Sequence, residues 1–400
     1  MTKTYNQNSF FEISLVALIW TVILFQRIAV KVSDYQFSVG LIILYLFMAV
    51  WVVRKEIFIN RKKMLFFLVV AGGILLSALV ASSYAGSFSV PSLLLLLGVY
   101  VLTIFEFGAG QQLAALKGFQ AVMLIIAIIG IVQFLSQLVG IQFRDWLSFI
   151  SQENIIYNYN YAIPISYGNS IYKSNGVFLA EPSFFSQLIA LSIFFELYVF
   201  RKYIRLLILF PALLVSFSGT GLILLAVGLV PLLVKLKWNR LLVVGIISAI
   251  ALSIFVNTGF AAHTINRIGE FQDPYASGYI RFISPFTSYQ QFFREKGEAA
   301  VFWLGMGPGV GEDVVWSTPT YLNPLMKLLV EYGVPGLLFF LYLVYVFFSG
   351  QSFWLALTLF VTYAALSGGL LTPQITVLYF LILIFHRRPS AITNLSIVKL

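Results

Sequence analysis

The sequence predicts an all-α protein: a polytopic integral membrane helical bundle of about twelve transmembrane helices with two long outer-face loops. Three observations predict it. The chain is 60% apolar and only 10% charged, with a mean hydropathy of +0.94, whereas soluble domains carry roughly a quarter charged residues. Apolar runs recur along the whole chain at lengths near the roughly 20 residues that a bilayer core demands of a helix. Lys and Arg, finally, gather in the alternate connections between those runs. A water-facing surface cannot be made from this inventory, which excludes disorder, a nucleic-acid-binding domain and a secreted scaffold. Cys is absent and His occurs twice, which excludes disulfides, thiolate metal sites, a cysteine nucleophile and a His-rich zinc centre. The net charge of +10 reads as cationic anchoring of cytoplasmic loops.

The predicted spans are 10–25, 35–53, 64–82, 90–107, 119–139, 182–200, 204–217, 221–234, 241–258, 333–348, 353–370 and 375–386. The first run follows a single Lys and lacks a small-residue cleavage site, so it reads as a retained helix. Arg54, Lys55, Arg61, Lys62 and Lys63, then Arg201, Lys202 and Arg205, then Lys235, Lys237 and Arg240, and lastly Arg387 and Arg388 fall on one side, which orients the bundle N-in/C-in. Five segments result: 1–139 with the first five spans; 140–181, the first long outer loop; 182–258 with spans six to nine; 259–332, a large outer loop with amphipathic helices; and 333–400 with the last three spans and a cytoplasmic tail. Long loops carry function more often than short ones, so chemistry is expected on the outer face.

In the first long loop, residues 152–161 read Gln-Glu-Asn-Ile-Ile-Tyr-Asn-Tyr-Asn-Tyr and end in alternating Tyr and Asn. Tyr159 and Tyr161 offer ring faces, and the amides offer donors and acceptors; this suits sugars, and it equally suits an interfacial tyrosine belt. Pro182 fits the first turn of the sixth span and pushes Glu181 out of helical geometry. Glu181 then stands at the lip of that span among Phe178, Leu179, Phe184 and Phe185. Desolvation there favours proton acceptance near neutral pH; a carboxylate favoured by the helix dipole is the other reading. Ser218 and Thr220 sit in a small hydroxyl-rich turn between two short spans, where a break below the membrane surface is tolerated only beside protein or a wet cavity.

In the second long loop Arg267, Arg281, Arg294 and Lys296 stand among aromatic residues. Arg281 and Tyr289 are about two turns apart, so one helix could present both. Guanidinium forks match phosphate oxygens, and an amphipathic helix on an anionic lipid surface accounts for the same pattern. The glycine-rich run 304–311 is no phosphate loop, since it lacks the Gly-Lys-Ser/Thr ending and Pro308 removes an N–H; its glycines predict close backbone packing or a tight turn. Asn323 with Pro324 predicts a capped short helix, Gly333 its end, and Pro335 the start of the next span. Glu331 lies at that corner. His263 reads as a surface residue.

Four stretches carry a resemblance. They are Lys173-Ser174-Asn175-Gly176-Val177-Phe178-Leu179-Ala180-Glu181-Pro182-Ser183; Ser218-Gly219-Thr220-Gly221; Ser277-Gly278-Tyr279-Ile280-Arg281; and Leu304-Gly305-Met306-Gly307 followed by Asn323 and Leu328 to Gly336. In order and spacing they resemble the O-antigen polymerase/O-antigen ligase superfamily of bacterial envelope glycosyltransferases, over residues of about 173 to 348. Two departures matter. Lys173 stands where the polymerases usually have Arg, and Thr320-Tyr321-Leu322 lacks the His that the ligases place before the Asn matching Asn323. The chain therefore looks like a polymerase.

The resemblance implies a GT-C-like fold and an inverting, metal-independent transfer without a cofactor, at the outer face of the bacterial inner membrane. The growing glycan on undecaprenyl pyrophosphate is the donor, and a lipid-linked repeat unit is the acceptor. A chain-length regulator protein is an implied partner. Glu181 is expected as the catalytic base with Glu331 in reserve, and Arg281 as the catalytic cation, with Arg267 and Lys173 beside it for the departing diphosphate. Tyr159, Tyr161, Asn175, Ser218, Thr220 and Asn323 are expected along the saccharide path. The rival classes are a ligase-type transfer to another acceptor, which the missing His disfavours, and a lipid-linked oligosaccharide flippase.

Overall fold

The structure, a computed structural model of the chain, describes residues 7–32, 35–84, 88–107, 111–156, 159–165, 168, 170–235, 269, 271–296, 299–314, 316, 318–349, 353–366, 370 and 372–384. It is mostly helical. In chain order come α1 (Gln7–Leu24), a hairpin of β1 (Ala29–Val32) and β2 (Tyr35–Ser38), and α2 (Val39–Val53). Strand β3 (Ile57–Ile59), α3 (Arg61–Ala81), α4 (Val90–Val101), β4 (Phe105–Phe107) and α5 (Gln111–Leu138) follow. After the first long loop come α6 (Pro182–Phe195), α7 (Leu206–Val215) and α8 (Gly219–Lys235). The second long loop holds short helices Ser277–Phe282, Ser284–Lys296, Ala299–Leu304 and Val310–Asp313, before the long helix Pro324–Phe348 and the helices Phe353–Val361 and Pro373–Tyr379.

Among the described residues, four helices are long and apolar enough to cross a membrane: Arg61–Ala81, Gln111–Leu138, Pro182–Phe200 and Pro324–Phe348. Shorter apolar helices match most of the other expected spans, including Phe10–Leu24, Val39–Val53 and Tyr203–Val215. The expected span 241–258 lies outside the described residues, as do Arg267 and His263. Two expected spans are shortened by strands. Residues 35–38 pair with β1 in the register Ala29↔Ser38 to Val32↔Tyr35, and residues 105–107 pair with β3. Each strand carries a polar residue, Gln36 or Glu106, at the end of an expected run, and each is too short to show a strand period in the sequence.

The chain divides into two compact units, one of residues 1–18, 41–115 and 270–388, the other of 19–40, 116–269 and 389–400. In the first, α3 packs along Pro324–Phe348. Asn60 starts α3, its side chain accepting from the N–H groups of Lys62 and Lys63 at 3.0 and 3.1 Å, which satisfies two of the orphan donors of a helix start. Phe11, Trp51 and Phe107 form an edge-on aromatic cluster, with the Trp51 indole N–H donating to Ser14 at 2.9 Å. In the second, α6 is buried along its whole length and packs against α7 and α8. Gly221 permits this: a Cβ there would lie 2.6 Å from the Ser186 backbone.

Helix faces read opposite to those of a soluble protein, where the outer face is polar. On α3, Phe67, Val70, Ile74 and Ala78 are buried, while Leu65, Leu68, Val69, Leu76 and Leu79 are exposed. On α5, Met123, Ile126 and Ala127 are buried, while Ile125, Ile128, Val132 and Leu135 are exposed. By contrast, Ser284–Lys296 is two-faced as expected, burying Ser284, Ser288 and Phe292 at intervals of four and exposing Arg294 and Glu295.

Candidate functional site

Two groups of expected site residues are described, one in each unit. The first centres on Glu181. Its backbone is extended (φ −146°, ψ 157°) and Pro182 opens the helix behind it, as a residue before proline is driven to be. Glu181 is only 8% exposed. One carboxylate oxygen, Oε1, accepts from the Asn160 backbone N–H at 3.1 Å, and the other, Oε2, accepts from the Ser183 hydroxyl at 2.7 Å. The Ser183 carbonyl lies 3.4 Å from the Thr220 hydroxyl, which stands 3.0 Å from that of Ser218 and 3.2 Å from that of Ser186. The hydroxyls of Ser218, Thr220 and Ser186 thus form a file that meets the carboxylate through Ser183, which offers its hydroxyl to Glu181 and its carbonyl to Thr220, bringing together two stretches far apart in the chain.

The loop that faces Glu181 is tied down on its other side. Tyr161 donates its hydroxyl to the Val177 carbonyl at 2.8 Å, and its own carbonyl accepts from the Asn175 amide at 3.2 Å. Asn175 Oδ1 accepts from Gln133 and from the Val177 N–H, each at 3.0 Å. Asn175 is fully buried, and both polar atoms of its amide are engaged within the protein, so its contribution is to fasten α5 to the loop. Tyr159 packs edge-on against Phe184, with centroids 5.7 Å apart. Lys173 is buried, and its backbone N–H donates to the Ile163 carbonyl at 2.8 Å.

Arg27 and Asp145, which sequence reasoning missed, complete this unit. The Arg27 guanidinium lies 4.0 Å from the centre of the Tyr161 ring and forks onto both oxygens of Asp145 at 2.8 and 2.6 Å. Burial alone would push the Asp145 carboxyl up; the guanidinium and the Leu147 N–H outweigh it and hold the group below the usual aspartate value. Burial, helped by the Asp145 charge, pushes the Tyr161 phenol up to about 12. A carboxyl depressed in the folded state stabilises above the unfolded pKa of about 4, and that contribution fades as pH falls through the folded value. The melting midpoint of the purified chain should therefore drop as pH is lowered below about 4. Asp145→Asn should flatten that dependence; an unchanged slope in the variant would remove Asp145 from the account.

The second group surrounds Glu331. It is buried and pairs with Lys327, one turn earlier, at 2.9 Å. The glycine-rich run lies directly on this turn: the N–H groups of Met306 and Gly307 donate to the Val330 and Glu331 carbonyls, each at 2.9 Å, and a Cβ on Gly305 would collide with the Glu331 backbone. The run is thus the close-packed strap that its spacing predicts. Asn323 caps the helix as expected, its side chain accepting from the Met326 N–H at 2.9 Å, which commits that oxygen to the fold. The expected corner is also present, since Gly333 (φ 57°, ψ −134°) breaks Pro324–Phe348 into two legs.

Arg281 is half-buried in the last turn of Ser277–Phe282, with its guanidinium 5.9 Å from the Tyr321 ring centre. Contrary to the expectation of one shared helix, Tyr289 belongs to the next helix, because the first ends at Ile283 (φ −109°). Buried hydroxyls of Ser284 and Ser288 hold Thr320 at 2.6 and 2.7 Å, fastening that second helix to the segment before Asn323. The chain matches no protein-family model and no curated protein.

Proposed function

We propose that the chain is an integral membrane glycosyltransferase that polymerises polysaccharide repeat units at the outer face of the bacterial inner membrane. It crosses the bilayer twelve times with both termini cytoplasmic. The apolar outer faces of α3 and α5 support the lipid setting. The reading of the chemistry rests on one observation: Glu181 is a buried carboxylate at the head of α6, oriented by the Asn160 N–H and the Ser183 hydroxyl, with the Thr220 hydroxyl on the Ser183 carbonyl and that of Ser218 beside it. It lies within the stretch that resembles the polymerases.

In this reading Glu181 takes the proton from an acceptor-sugar hydroxyl. That oxygen attacks the anomeric carbon of the growing glycan, whose bond to diphosphate breaks with inversion, and undecaprenyl pyrophosphate departs. Arg281, Arg267 and Lys173 neutralise the diphosphate, the step where preorganised positive charge contributes most. The hydroxyl file and Tyr159 suit a saccharide path.

Electrophoresis of surface polysaccharide from a strain lacking this chain tests the reading. A polymerase deletion leaves glycan of a single repeat. Almost no surface glycan would identify a flippase, and finished polymer left on its lipid would identify a ligase; either result overturns the proposal.

A further inference from the structure

The geometry points to Arg27 as a positioning residue for Glu181, an inference that rests on the proposed role of that carboxylate. Arg27 acts through the loop at 159–161. Its guanidinium is pinned by the fork onto Asp145 and lies over the Tyr161 ring, 4.0 Å from its centre. Tyr161 is in turn held by Val177 and Asn175. The residue before it, Asn160, supplies the N–H that hydrogen-bonds to the carboxylate at 3.1 Å. The neighbouring Gln26 closes the other flank, its side-chain oxygen accepting from the Ala180 N–H at 3.3 Å, one residue ahead of Glu181. Two consecutive residues after α1 thus brace both backbone segments that present the carboxylate.

The chemistry favours Arg at this place. A planar guanidinium stacks on a phenol ring and forks onto a carboxylate at once, whereas an ammonium is a point charge that does neither in the same way. Asp145 and Tyr161 lie 118 and 134 residues further along the chain than Arg27, so this brace closes long loops and is independent of α6 itself.

Hydrogen–deuterium exchange on the full-length chain in nanodiscs reads the brace without any substrate, because the Asn160 N–H is one of the exchanging groups. Arg27→Ala and Asp145→Asn should each speed exchange over 159–165 by at least tenfold while α5 and α6 exchange as before. With lipid-linked repeat unit, the same variants should lose turnover by about tenfold or more with KM changed less than threefold. Arg27→Lys should recover only part of both. If Arg27→Ala does not accumulate, Asp145→Asn and Arg27→Lys carry the test. Unchanged exchange over 159–165 overturns the inference, as does faster exchange with full turnover. Full polymer from Glu181→Gln would instead sink the assignment of the base, leaving the exchange result as it stands.

Discussion

On the proposed polymerase reading, a chain carrying Glu181→Gln should yield glycan of a single repeat and no polymer, at normal abundance in the membrane. The substitution is chosen for how little else it alters. Glutamine keeps the volume, and its amide oxygen still accepts from the Asn160 N–H, while Ser183 can turn to accept from the new amide. The favourable interaction of a carboxylate with the α6 dipole is lost, at about 0.3–1 kcal/mol, too little to unfold a domain. What disappears is the proton acceptor, and general-base catalysis contributes typically about 10²–10⁴-fold in rate. Turnover on lipid-linked repeat units should fall by that factor. Arg281→Ala should abolish chain growth in the same assay through the loss of positive charge. Polymer of normal length from both variants, at normal protein levels, would refute the assignment.

The largest effect on stability is expected from Gly333→Ala. At φ 57°, ψ −134° the residue occupies backbone space that side chains with a Cβ avoid, at a cost of about 1–3 kcal/mol. A Cβ would also lie 2.5 Å from the Phe302 carbonyl oxygen and 2.7 Å from the Leu304 N–H nitrogen. Backbone, unlike a side-chain tip, has nowhere to swing, and overpacking costs roughly a further 1–3 kcal/mol. Together these make a loss of about 2–6 kcal/mol, a large fraction of ordinary stability. Gly72→Ala is the control: it lies within α3 and nothing approaches its Cβ position within 4 Å, so it should be neutral or slightly stabilising. Thermal unfolding of both variants in detergent checks the contrast, and equal midpoints would contradict it.

Features governed by near neighbours were legible in the sequence. Asn323 as a cap, Pro182 at a helix start and Gly333 as a corner each follow from one residue's own backbone preferences. The strap 304–311 was legible as close packing, though not as lying against Glu331. Strands at 35–38 and 105–107 were not, because three or four residues at the edge of an apolar run are too few to show a strand period, even with Gln36 and Glu106 in them. The helix end at Ile283 was missed although Ser284-Pro285 announces it, proline being favoured just past one helix and in the first turn of the next. Around Glu181, the desolvating neighbours were legible, but the donors from Asn160 and Ser183 were not. Arg27 with Asp145 was the least visible feature: each is an unremarked charge in its own loop, and only folding reveals that they meet.

Glu196 carries a consequence for biogenesis. It is fully buried where α6 ends, and it accepts from Gln120 and from Arg205, each at 2.8 Å. Translation delivers it nine residues before Arg205. In the proposed membrane setting a carboxylate released alone among acyl chains is costly, so α6 should leave the translocation machinery together with α7, as a hairpin already clasped at its base.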